Sequence, residues 1–192
     1  MTLAEIQQRI MHAQQLHIAN TSAISSSDTE ILDMSHYAGV IDYYVAELVM
    51  TVKAGTTLGE IRNKLADKGQ TLPFSIEEDD STAIGAAYAI GSPELRDAVL
   101  GVKVIDGQGQ ILTFGGQVMK NVAGYDVARL LVGSKGALVA VCEISFRVLP
   151  KAYAISSSSS SVVENESHRA SPVRERIEHG LKQVFDPKGI FI

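Results

Sequence analysis

From Leu138 to Val148 the chain alternates: Leu138, Ala140, Cys142, Ile144, Phe146 and Val148 are apolar, while Glu143, Ser145 and Arg147 fall between them. A period of two over this length predicts a strand with one buried face and one polar face. "ELVMTVKAG" alternates in the same way, with Leu48, Met50 and Val52 on one side and Gly55 at its end. "AVLGVKVIDGQGQILTF" has two apolar runs on either side of "DGQG", which predicts a β-hairpin. "LHIAN", "EILDM" and "LPF" read as further short strands. Helical spacing appears first at Leu3, Ile6 and Ile10, where Thr2 and Glu5 have the spacing of a capping box and the helix extends to about Gln14. It appears again at Leu58, Ile61 and Leu65, with Thr57 and Glu60 as the box and Gly69 past the end. A last helix has Ser171 as its cap, Pro172 in its first turn, and Val173, Ile177, Leu181 and Val184 on one stripe, with "DPKG" as its stop.

Between these elements lie aperiodic stretches. Thr21 to Thr29 is small and polar, and "EEDD" at Glu77 to Asp80 is a solvated loop because adjacent like charges repel. "STAIGAAYAIG" is so poor in side-chain bulk that its backbone can approach another segment closely. "SSSSSS" at Ser156 to Ser161 opens a run with nothing to bury, which reads as a linker. Strands and helices mixed in irregular order, with one hairpin and no regular βαβ alternation, predict an α+β chain. The expected organisation is one α+β subdomain over 1–76, a second over 77–152, a serine-rich linker over 153–170, and a C-terminal helix over 171–192 that packs back on the domain.

Composition narrows the chemistry. The chain has 192 residues, 45% hydrophobic and 20% charged, enough for a buried core. The net charge of -5 and the lack of a basic cluster denser than "VRER" argue against a nucleic-acid partner. No apolar run reaches the length of a membrane span, and the first ten residues lack a signal peptide's pattern, so the expected compartment is the cytoplasm. The single cysteine, Cys142, excludes an internal disulfide and reads as a packed thiol. Five scattered histidines have no ligand spacing, so no metal site is expected; without a G-x-S-x-G elbow, no catalytic nucleophile is expected either. Neither a dinucleotide G-x-G-x-x-G nor a Walker pattern is present.

The glycines are more informative. Gly115, Gly116, Gly124, Gly133 and Gly136 cluster around one short helix. Their amides could face a phosphate or a planar ring, or Gly133 and Gly136 could simply cap and turn the chain.

Here the residues are similar to a known family. "LTFGGQVMKNVAGYDVARLLVGSKGALVAVCEISFRVLP", "HYAGVIDYYVAELVMTVKAGTTLGEI", "GQTLPF" and "FDPKGIF" together resemble the FAD-binding (GlcE-like) subunits of glycolate oxidase, in the vanillyl-alcohol-oxidase superfamily with its PCMH-type FAD-binding domain. The resemblance implies two α+β subdomains with FAD between them, and a subunit that works with flavoprotein and iron-sulfur subunits in oxidising glycolate, peripheral to the inner membrane through those partners. It implies cofactor contacts at Gly85, Lys120, Asn121, Gly124, Tyr125, Gly136 and Val141.

The chain departs from the family pattern at several points that touch the flavin. "IANTSAISSSD" has no glycine where relatives carry an R-G-x-G-S-type loop. Ala86 follows Gly85 where relatives have a second glycine, and Val139 stands where relatives again have glycine. The serine run occupies the place of the cap domain, and the chain stops at "GIFI" short of the N-P-G residues. The resulting expectation is a component with a degraded flavin site, non-catalytic on its own and acting in interaction or assembly. The alternatives are a functional FAD-dependent subunit oxidising a 2-hydroxy acid such as glycolate, and half a flavin site completed by a partner.

Overall fold

The structure is a computed structural model that describes residues 1–19, 30–74, 80–117, 126–154 and 172–192. The "EEDD" run apart from Asp80, the serine run and the Ser171 cap lie outside these residues. Both expected capping boxes form. The Thr2 N–H donates to the Glu5 carboxylate at 2.7 Å while the Thr2 hydroxyl accepts from the Glu5 N–H at 3.3 Å, and this starts α1 (Leu3–His12). Thr57 and Glu60 repeat the exchange at 3.0 and 3.2 Å and start α2 (Leu58–Ala66). Each box satisfies two amides that a helix end would otherwise leave open.

The strands of the first half are β1 (Leu16–Ala19), β2 (Glu30–Asp33), β3 (Val40–Tyr44), β4 (Val49–Lys53) and β5 (Gln70–Thr71). β3 escapes a reading based on alternation because it is an edge strand with apolar residues on both faces: Val40, Ile41 and Tyr44 are all exposed. Leu48, expected in the strand with Met50 and Val52, sits instead in the preceding turn with φ +57°. "LPF" is not a strand. Pro73 has no N–H for a ladder, so pairing falls two residues earlier at Gln70–Thr71, while Leu72 and Phe74 go into the core.

The small-residue segment becomes α3 (Ile84–Ile90). A short α4 (Pro93–Ala98), not anticipated from periodicity, follows because the Ser92 hydroxyl accepts from the Leu95 N–H at 3.1 Å and Pro93 begins the first turn. The expected hairpin is β6 (Val99–Ile105) with β7 (Ile111–Gly115), its turn closed by the Asp106 carboxylate, which accepts from the amides of Gln108 and Gln110 at 2.9 and 2.8 Å. α5 (Val127–Leu130), β8 (Ala140–Arg147), β9 (Leu149–Pro150), α6 (Lys151–Ala154) and α7 (Pro172–Phe185) complete the order.

Five antiparallel strands form the main sheet in the order β3-β4-β8-β6-β7, while β1 and β2 form a separate parallel pair and β5 pairs with β9. β8 lies at the centre, and its ladder with β6 shifts register between Lys103 and Val104, so Lys103 faces Glu143 but Val104 faces Val141. This bulge corrects the single-face reading of β8. One extra residue inverts the alternation. Ile144, Phe146 and Val148 face the core that α2, α3 and α5 cover, together with Val139, whereas Ala140 and Cys142 belong to a second core with Ile6, Ile10, Leu16, Leu32 and Phe191. Both cores draw on residues from either side of 75–80, because β4 and β8 are neighbours in one sheet.

Cys142 is buried in the second core, and burial first, then the nearby Glu143 carboxylate, pushes its thiol up to about 12. A thiol so far from ionisation is inert at neutral pH. We expect a disulfide reagent to label the chain only as fast as it unfolds; rapid labelling of the folded protein would place the thiol at the surface.

Of the stripe expected to bury α7, only Leu181 packs on the core. Val173, Ile177 and Val184 are 65%, 57% and 66% exposed. The helix is held at its C-terminal end, where Phe185 is buried against the first core and packs edge-on against Phe114 with 6.1 Å between ring centroids.

Candidate functional site

The two cores meet along a crevice. α3 forms one side and is pressed onto the turn after β4: the Ile84 amide donates to the Thr56 carbonyl at 2.9 Å and the Gly85 amide to the Ala54 carbonyl at 2.8 Å. A β-carbon at Gly85 would lie 2.9 Å from both the Ala54 side chain and its carbonyl oxygen, so glycine is what permits the approach. Tyr88, fully buried with its phenol pushed up by desolvation, donates to the Ala128 carbonyl and ties α3 to α5.

The same side continues into the turn from Ser134 to Ala137, closed by the Ala137 amide donating to the Ser134 carbonyl at 3.0 Å. Lys135 and Gly136 occupy its two central positions with φ +55° and +76°. Two consecutive positive φ angles define the tight turn, and the second falls on a glycine. The Lys135 amide donates to the Ala89 carbonyl at 2.9 Å and the Gly133 amide to the Tyr88 carbonyl at 2.9 Å, so the turn rides on the end of α3. Across from it is β1, whose Ile18 would stand 3.6 Å from a β-carbon at Gly136.

Ile18, Met34, Ala54, Gly85, Ala89, Ser134, Lys135, Gly136, Val139 and Val141 line this crevice. Three expected contact residues, Gly85, Gly136 and Val141, are thus brought to one place. Lys120, Asn121, Gly124 and Tyr125 lie outside the described residues. The sequence reading missed Ile18, Met34 and Ala54 because they arrive through long-range packing of short strands, which leaves no local signal. Gly136 turns the chain and lines the crevice.

The crevice has a cavity volume of about 50 Å³. Sites for cofactor-sized molecules run to roughly 300–1,000 Å³. Its walls are mostly apolar, and Val139, fully buried, fills space at its floor. The space that the described residues enclose here is that of a few waters or the edge of a ring.

A second concavity lies on the open face of the main sheet, where polar side chains satisfy one another. The Thr51 and Ser145 hydroxyls are 2.8 Å apart, and the Gln117 amide donates to Asp42 at 2.8 Å and to Thr51 at 3.0 Å. Lys103 pairs with Glu143 at 2.6 Å, and the Tyr37 phenol, pushed up by burial and by that carboxylate, donates to Glu143 at 3.2 Å.

Comparison with known proteins agrees with the fold. The FAD binding domain family matches residues 16–115, just over half of the 192 residues. Glycolate oxidase subunit GlcE of Escherichia coli K12 is 43% identical over 131 residues, covering 64% of this chain and 37% of that protein. Glycolate oxidase subunit GlcD of Bacillus subtilis strain 168 is 29% identical over 133 residues, covering 63% and 27%, and a D-2-hydroxyglutarate dehydrogenase of Xanthomonas citri pv. viticola is 27% identical over 134 residues, covering 66% and 28%. The chain thus spans about a third of the length of these relatives. A solved alkyldihydroxyacetonephosphate synthase superposes with a TM-score of 0.60 at 17% identity, over 77% of this chain and 30% of that one, a likeness of fold. The α+β architecture is the expected PCMH-type arrangement, and the chain belongs to the family of FAD binding domains.

Proposed function

We propose that this chain is the FAD-binding-fold component of a glycolate-oxidase-type complex, non-catalytic on its own, with a degraded flavin site and a role in assembly. The observation that carries the reading is the narrowness of the crevice. Gly85 already touches Ala54, Val139 occupies the floor, and about 50 Å³ remains. The sequence adds to this: residues 19–28 contain no glycine, the residue that most readily lets a backbone approach a pyrophosphate closely. The intact scaffold is what such a subunit offers to flavoprotein and iron-sulfur partners, in the cytoplasm or at the inner membrane's periphery. Among the described residues no helix is long and apolar enough to cross a membrane.

Co-expression with the flavoprotein and iron-sulfur subunits of a glycolate oxidase tests this directly. The expected result is a co-purifying complex of fixed stoichiometry, and recovery of this chain alone would remove the assembly role. A second reading, a working FAD-dependent subunit oxidising a 2-hydroxy acid, is favoured by one observation: Gly85, Gly136 and Val141 do converge on a single crevice. In that reading their backbone groups, with Lys120, Asn121, Gly124 and Tyr125, contact the flavin nucleotide. Activity then requires the remainder of the site from a partner.

A further inference from the structure

The last turn of α7 reaches both walls of the crevice through one side chain. Lys182, in the last turn of α7, donates from its Nζ to the Ala137 carbonyl at 2.7 Å and to the Phe191 carbonyl at 2.6 Å, and pairs with Asp186 at 2.7 Å. Ala137 adjoins Gly136, so the first bond fixes the turn that makes one wall. Phe191 forms a parallel bridge with Leu16 at the start of β1, and the Leu16 amide donates to the Ile190 carbonyl at 2.7 Å while the Ile192 amide donates to the Leu16 carbonyl at 3.1 Å. The second bond therefore fixes the strand that carries Ile18, the other wall.

Asp186 is the anchor of the arrangement. Its side chain is 0% exposed, and its two oxygens accept from the Ile190 and Phe191 amides at 2.8 and 2.9 Å. The ammonium is held by a buried carboxylate that is itself fixed by two amides, so its position is determined from three directions.

We infer that Lys182 is a positioning residue for the crevice, a clamp that sets the separation between the Ile18 and Gly136 walls. The clamp acts on the walls themselves, so its test does not depend on what the crevice binds. Full-length chains carrying Lys182→Met and Lys182→Arg are compared with the wild type by hydrogen exchange and mass spectrometry. In Lys182→Met, amides of residues 134–139 and 16–19 should exchange about tenfold faster or more, while those of β8 from Ile144 to Arg147 keep their rates. Lys182→Arg, which retains charge and donors, should stay near wild type at both walls. Unchanged exchange at the walls in Lys182→Met, or an equal acceleration over the whole chain including β8, overturns the assignment. If the Met variant does not fold, Lys182→Gln, which keeps an N–H donor group without charge, is read by the same two outcomes.

Discussion

Replacing Gly55 by alanine should destabilise this protein more than any other single methyl group considered. A β-carbon there would lie no more than 2.9 Å from three backbone carbonyl oxygens, those of Met34, Ser35 and Tyr37. Backbone oxygens cannot rotate aside as a side chain could. Nor can the segment retreat cheaply, because the Gly55 amide donates to the Tyr37 carbonyl at 2.9 Å and the adjacent Ala54 amide donates to the Cys142 carbonyl at 2.7 Å. Overpacking of a dense interior costs about 1–3 kcal/mol, and contacts against fixed oxygens belong at the top of that range. For a chain of this size 3 kcal/mol corresponds to a fall of roughly 6–12 °C in Tm. Calorimetry on Gly55→Ala should show that drop or a failure to express soluble protein, and an unaltered Tm would mean the 34–37 segment is not packed on Gly55 as described.

The second large effect is expected at Asp186. Changing it to alanine removes the acceptor for the amides of Ile190 and Phe191 and leaves the Lys182 ammonium without its buried partner. Each unsatisfied buried amide costs about 1–3 kcal/mol, so a loss of about 3 kcal/mol is a conservative figure after solvent reaches part of the lysine. The C-terminal segment at Phe191 should also detach from β1. Asp186→Ala should therefore lower the Tm by several degrees and release amide protection at residues 190–192 together. If protection there persists, the C-terminal segment is held by its apolar contacts and not by the carboxylate.

Elements whose determinants are local were readable from the sequence. The two capping boxes, the hairpin at "DGQG" and the strand over β8 each depend on residues within a few positions of one another. What could not be read depends on partners far along the chain. The β8 bulge lies in its ladder with β6, just beyond Glu143 where the pairing with β4 ends, and nothing between Val141 and Glu143 announces it. The exposed stripe of α7 shows the same limit: helical spacing predicts an apolar face but not what covers it, and the helix is instead fixed through Leu181, Lys182 and Phe185 at its end.

The crevice divides along the same line. Gly85 and Gly136 were found because close approach and positive φ leave a residue-type signature, while Lys182 reads as one more solvated cation on a helix and shows its role only through the carbonyls it reaches. Val139 was singled out through the family pattern, and it is fully buried where it lines the crevice.

That slot is where the account is most exposed to measurement. Titration of the purified 192-residue chain with FAD, followed by flavin fluorescence and by the absorption spectrum after gel filtration, asks whether the scaffold alone holds the cofactor. The expected outcome is a colourless protein with no saturable binding at micromolar concentrations. A yellow protein with one flavin per chain and a Kd of about 1 μM or tighter, equivalent to about 8 kcal/mol of binding, would contradict it.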